Sequence, residues 1–315
     1  MLHVTNGDHA ADGIRASGIG GEVLPWRDVL HEGPVPAGLS LLELSDVRAD
    51  FIASDGLDPV ELRRDFAARD LALQGFAAHD EVVLWFEHDL YDQLQLIQLL
   101  DFFAGEEPGG TRLSLVCGAE YVGPSSSERL AARFAGREPV TEAQLALGRA
   151  AWAAFRSPDP REIERIAAGD TSALPFLRAA LARHLEQYPS ARNGLSRSEQ
   201  QALEAIGAGA RTVRDAFFAH QQREEPIWLG DWSFADYMEG LADGAHPLVA
   251  LGNGTDVMAR AVSLTETGER VLAGREDRVR LNGIDRWLGG VHLGGVHLGG
   301  GDRVWRWDAE VGRLV

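Results

Sequence analysis

Residues 81–100 read EVVLWFEHDLYDQLQLIQLL, and the fold turns on how this stretch divides. Val82-Val83-Leu84-Trp85-Phe86 is an unbroken apolar run of strand length. Glu87-His88-Asp89 follows with three ionisable residues in a row, and Leu90, Leu94, Ile97 and Leu100 continue near helical spacing. A short apolar run without alternation fits a strand buried on both faces, and the later spacing fits an amphipathic helix. The stretch therefore reads as a strand, a sharp polar junction and a helix. In an open α/β sheet ligands bind beyond the carboxyl ends of the strands. The junction is the first place to look for chemistry.

Working outward, Leu2 to Thr5 reads as a first strand, Asn6-Gly7-Asp8 as a tight turn, His9 to Ser17 as a helix and Glu22 to Trp26 as a second strand. This opening fits a Rossmann-like, mainly parallel sheet with helices, although the GxGxxG fingerprint is missing. Arg27 to Pro36 is an irregular Pro/Gly loop. Helices are expected over 41–52 and 59–76, the second capped by Asp58 with Pro59 in its first turn. Another strand, Leu113 to Cys117, and a helix, Ser125 to Phe134, complete an α/β domain over 1–138. Residues 139–192 read as a helical region packing on it. Residues 193–274 hold three helices, a hairpin and a closing helix, which looks winged-helix-like. Residues 275–315 form a Gly/Trp-rich β tail in which VHLGG occurs twice in succession. The five-residue step between His292 and His297 reverses the face of a strand, so a duplicated loop explains the repeat better than a two-histidine metal site.

The chain has 315 residues and a formal charge of −18, and every basic residue is an arginine. That balance repels nucleic acid and anionic membrane unless a local patch reverses it. No long apolar run suggests a membrane span, and the opening lacks the pattern of a signal peptide. The single cysteine, Cys117, excludes an internal disulfide and fits a cytoplasmic location. It reads as a buried structural thiol.

If the first three strands are parallel, their ends deliver polar residues to one edge. Asn6, Gly7 and Asp8 come from the first turn, Arg27, Asp28, His31, Glu32 and Gly33 from the second, and Glu87, His88 and Asp89 from the third. Carboxylates and imidazoles from separate segments are what a general acid/base or metal site needs. Asp8, His31 and Asp89 are the catalytic candidates. Asp8, Glu87, His88 and Asp89 are the metal-ligand candidates. Asn6, Gly7, Arg27, Asp28, Glu32 and Gly33 are the ligand-binding candidates. Each has a plainer reading. Asp8 and Asp89 can be helix N-caps, His31 can bond only backbone, and Glu32 can be solvated. Asp92 reads as first-turn electrostatics. Strand alternation sends only one of Glu87 and His88 into the crevice. The acidity of the edge disfavours a bare phosphate, so a divalent cation is expected before a free nucleotide. Neither GxSxG nor a Ser or Cys beside a histidine at a strand-to-helix elbow supports nucleophilic catalysis.

The segments HVTNGD, VLPWRDVLHEGPVP and VLWFEHDLYDQLQL together resemble the bacterial domain-of-unknown-function family numbered 1835. LSRSEQQAL, WLGDWSF and the GIDRWLGGVHL…WRWD tail are similar to the extension that accompanies that domain. The resemblance implies a shared motif at Asn6, Gly7, Asp8, Asp28, His31, Glu32, Gly33, Glu87, His88 and Asp89, and no reaction. Three functions remain open: a small-ligand or metal-dependent hydrolase, a ligand-responsive DNA-binding regulator, and a protein-interaction module. A small-molecule partner fits the first two. For nucleic acid, Arg211, Arg214 and Arg223 favour binding, whereas Asp236, Glu239 and Asp243 oppose it.

Overall fold

The computed structural model describes residues 1–53, 56–294 and 304–315. The chain divides into two compact units, one of Met1–Leu181 with Trp287–Val291 and one of Ala182–Arg286 with His292–Val315.

The first unit is an α/β sheet. Its leading elements are β1 (Leu2–Thr5), α1 (Asp8–Ala16), β2 (Glu22–Pro25), β3 (Gly33–Pro34), α2 (Leu41–Ala53) and α3 (Pro59–Gln74). They are followed by β4 (Glu81–Phe86), α4 (Leu90–Ala104), β5 (Arg112–Cys117), α5 (Ser127–Ala135), β6 (Glu138–Pro139), α6 (Glu142–Phe155) and α7 (Arg161–Ala168). The unit boundary falls within α8 (Leu177–Leu185). The main sheet has the order β2-β1-β4-β5-β6, parallel except for the β5–β6 pair. All six β4 residues are buried, as the unbroken apolar run requires. Val83 and Trp85 pack with Ala10, Ile14 and Leu130 of α1 and α5. Val82, Leu84 and Phe86 alternate to the other face, where α4 packs on β4.

Local signals explain the helix starts. Asp58 caps α3 by accepting from the amides of Val60 and Glu61. Asp89 caps α4 by accepting from Asp92 N at 3.1 Å. At α1 the expectation differs: the N-cap is Gly7, and Asp8 is the first helical residue.

The loop after β2 is more ordered than its Pro/Gly content suggests. Gly33 and Pro34 pair in parallel with Leu288 and Gly289. Pro34 has no amide to donate, and the pairing continues through Val35 N to Gly289 O at 2.8 Å. Gly33 sits at φ +72°, and a Cβ there would stand 2.4 Å from the Phe51 ring. This position therefore requires glycine on packing grounds alone. The organiser of the loop is Arg48, fully buried on α2. Its guanidinium donates to Asp28 Oδ1 at 2.9 Å, Glu32 O at 2.6 Å and Val29 O at 3.1 Å.

The second unit contains α9 (Arg197–Gly207), α10 (Val213–Gln221), α11 (Asp231–Ala242), the antiparallel pair β7 (Val249–Leu251) and β8 (Val262–Leu264), and α12 (Glu266–Leu272). Ser196 and Glu199 form the expected capping box at α9. Thr212, just before α10, bridges antiparallel to Ala261. His292 pairs with Asp285 at 2.7 Å, while His297 and the second VHLGG copy lie outside the described residues. Among the described residues no helix is long and apolar enough to cross a membrane.

Because a buried charge that loses its partner is costly, Arg48→Leu is expected to destabilise the protein by about 3–5 kcal/mol in denaturant titration. The Arg48→Leu/Asp28→Leu double variant should recover much of that loss. A single-variant loss below about 1 kcal/mol would show that the pair does not organise the loop.

Candidate functional site

The sheet order creates the site. From β1 the chain winds to β2 on one side, and the later strands β4 and β5 extend on the other. The β1–β4 boundary is therefore the point where the winding reverses, and crevices form at the carboxyl ends of strands there. The parallel register pairs Thr5 with Trp85, so Asn6 leaves β1 close to where Glu87 leaves β4.

The first turn of α4 folds its carboxylates back over this boundary. Asp92 Oδ1 accepts from Glu87 N at 2.8 Å, and Asp92 Oδ2 accepts from Asn6 Nδ2 at 2.7 Å. Tyr91 donates its hydroxyl to Asn6 O at 3.1 Å, fixing the β1 end from the same turn. Gln93 Nε2 donates to Glu87 O at 2.6 Å. The Glu87 carboxylate in turn accepts from Val122 N, in the segment after β5. Glu87, Asp89 and Asp92 each place one oxygen within 4.8 Å of the others. None of the three residues is more than 4 % exposed.

Three carboxyl groups this close and this dry cannot all be charged without a large penalty. Burial raises the affinity of Asp89 for its proton to a pKa of about 7, against the opposing hydrogen bond from Asp92 N, and the charge of Glu87 pushes the same way. Burial first, and then the charges of Asp89 and Glu87, hold Asp92 well above the usual carboxylate range. Glu87 is also raised by burial, with the Val122 amide pulling it back.

Of the metal-ligand candidates, Glu87 and Asp89 meet, and the third member of the group is Asp92. The His88 ring packs against Tyr121 and Phe176, with centroids 5.3 and 5.8 Å away. Asp8 stays on the rim, its exposed carboxylate bonded to Arg27 Nε at 2.7 Å. Asp28 is committed to Arg48. His31 is buried, edge-on to Tyr91 at 5.9 Å, with Nε2 at 3.9 Å from Glu32 Oε1. Asn6 is the ligand-binding candidate that touches the group directly, and Gly7 supplies the N-terminus of α1. Asp92 and Tyr91 were missed. Asp92 stands three residues after the Asp89 cap, a spacing that looks purely local in sequence. Its contact with Asn6 spans 86 positions.

The donor set is all oxygen, which suits a hard cation such as Mg²⁺, Mn²⁺ or Ca²⁺ rather than Zn²⁺. A cavity of about 570 Å³ opens beside Gln93 and Cys117, at the carboxyl end of β5. A larger one, about 800 Å³, is lined by Phe76, Val82 and Phe103 and lies toward the opposite ends of the strands. It is mainly apolar and is not near the carboxylates. No protein-family model matches the chain, and no curated protein matches it in sequence.

A carboxyl group with a raised folded-state pKa stabilises the fold below its unfolded pKa, and that stabilisation is lost as pH rises through the folded value. In chelator, unfolding free energy attributable to Asp89 should therefore fall between about pH 4 and about pH 7. Asp89→Asn keeps a competent cap and removes the titrating group. Its pH slope in denaturant titrations should be shallower, and a slope equal to wild type would contradict the assignment.

Proposed function

We propose that the α/β unit binds a divalent cation through Glu87, Asp89 and Asp92 and acts on a small-molecule ligand as a metal-dependent hydrolase. The observation that carries this reading is the convergence of three buried carboxylates where the winding of the sheet reverses. Such a cation would lower the pKa of bound water or polarise an ester or phosphoester. In this chain Asn6 orients Asp92, Gln93 and the Val122 amide hold Glu87, and the α4 cap holds Asp89. The motif positions that resemble family 1835 include Asn6, Glu87 and Asp89, so the proposal extends to membership of that family.

Calorimetric titration with Mn²⁺ tests the reading. Saturable binding is expected, tightening as pH rises because the cation displaces protons. Asp89→Asn should weaken it by at least about tenfold. Absence of saturable binding, or an unchanged affinity in the variant, would contradict the proposal.

For the second unit we infer a winged-helix-like module that contacts protein rather than DNA. Three helices, the Thr212–Ala261 bridge and the β7–β8 hairpin support the first part. In that reading α11 occupies the recognition position, and it carries Asp231, Asp236 and Glu239 with no arginine. Duplex binding depends on neutralising phosphates, which this helix opposes. On α10, Arg214 pairs with Asp256 at 3.4 Å. Phe218 and Trp232 are more than half exposed, which suits a protein surface better than a phosphate backbone. Electrophoresis with duplex DNA at about 50 mM salt should show no shift, and a salt-sensitive shift would favour the regulator.

A further inference from the structure

The connection between α10 and α11 carries apolar side chains that the chain itself leaves uncovered. Phe218 and Trp232, 57 % and 56 % exposed, are the only exposed aromatic side chains among the described residues. Phe218 lies on α10, Trp232 lies in the first turn of α11, and Ile227, 43 % exposed, stands between them in sequence. Trp228 and Leu229 beside Ile227 are buried. Gln221, one turn after Phe218, donates from Nε2 to Leu229 O at 2.7 Å, which holds the connection against the end of α10. The Phe217 ring stands 5.8 Å from Phe218 and 5.4 Å from the buried Phe234 of α11. The exposed rings therefore rest on a packed base. Single exposed apolar residues are ordinary, whereas grouped ones mark contact surfaces.

The charges around these rings do not cancel. Arg214 pairs with Asp256 at 3.4 Å, Arg223 with Glu204 at 2.8 Å and Arg260 with Glu239 at 2.8 Å, so these cations are matched within the chain. Arg211 precedes α10, about two turns away from Phe218. Glu225 and Asp231 flank Ile227 and adjoin Trp232; both are exposed and neither has an ion pair among the described residues. Asp231 accepts only the Trp232 amide, at 3.0 Å. Asp236 is exposed one turn beyond Trp232, on the same side of α11. Aromatic and aliphatic groups thus alternate with an excess of carboxylates.

We propose that this surface docks a short basic segment of another protein, with its apolar side chains on Phe218 and Trp232 and its arginine or lysine groups toward Glu225, Asp231 and Asp236. The inference rests on reading the second unit as a protein-contacting module and names the chemistry of its partner. Tryptophan is enriched among the interface residues that carry binding energy, and its ring face also attracts a guanidinium. Unmatched carboxylates around it steer a basic partner and set its register. A second copy of this chain brings a formal charge of −18 of its own, and duplex DNA brings phosphates, so this surface opposes both.

Nuclear magnetic resonance titration of the full chain tests it, with a short peptide of arginine and leucine as the probe and a peptide of glutamate and leucine as the control. The Trp232 indole N–H and the Ile227 and Asp231 amide signals are the readouts. Saturable shifts of all three are expected with the basic peptide and none with the acidic one. Trp232→Ala and Phe218→Ala change exposed side chains, so the remaining amide spectrum should be unchanged, and each should raise the half-saturating concentration by about tenfold or more. Glu225→Gln/Asp231→Asn should weaken binding and flatten its salt dependence. No saturable shift, equal binding of the acidic peptide, or an unchanged affinity in Trp232→Ala would overturn the proposal. Self-association in sedimentation that Trp232→Ala abolishes would assign the surface to a second copy and overturn it as well. Failure of the peptide without a shift of duplex DNA would reject the basic partner alone, whereas a DNA shift would reject the protein-contact reading on which it rests.

Discussion

The hydrogen bond from Asn6 to Asp92 ties the ends of β1 and β4 together across the point where the sheet reverses its winding. Most of the candidate site depends on it. Asp92 is held over the strand ends by Asn6 on one oxygen and the Glu87 amide on the other. That position brings it against Asp89, which is fixed independently as the cap of α4. Burial then does the rest. Carboxyl groups removed from water cannot remain fully ionised side by side, so the group must hold protons or a cation. The same few bonds that complete the fold at this edge thus create a local demand for positive charge in a protein whose formal charge is −18.

A second buried charge system plays a different part. Arg48 draws Asp28 and the carbonyls of Val29 and Glu32 onto α2, converting a Pro/Gly-rich loop into fixed structure. Here the opposite charges are paired within the chain. The contrast separates a carboxylate paired with an arginine from a carboxylate bonded to neutral donors. Asp28 belongs with the first and Asp92 with the second.

Much of this was legible from sequence where the physics is local. The apolar run at 82–86, the polar junction and the spacing of α4 specify a strand, a turn and a helix, and Asp58, Asp89 and Ser196 mark helix starts through capping chemistry. The meeting of the β1 and β4 ends followed from parallel strand order. What was hidden depends on long-range pairing. Asp92 looks like an ordinary first-turn acid until Asn6 is placed beside it. Asp28 looks like a ligand until Arg48, twenty positions on, arrives from α2. Asp8 looks like a cap, but the helix starts one residue earlier and frees its carboxylate for Arg27. His88 alternates away from Glu87, as strand geometry dictates, and settles among aromatic rings.

The most direct test of this account is a carboxyl-carbon nuclear magnetic resonance titration of Glu87, Asp89 and Asp92, with and without Mg²⁺. Asp89 is expected to titrate near pH 7 without the cation and Asp92 far above an ordinary aspartate, and Mg²⁺ is expected to move both midpoints down. Midpoints for all three near the ordinary values of about 4, unmoved by Mg²⁺, would contradict it.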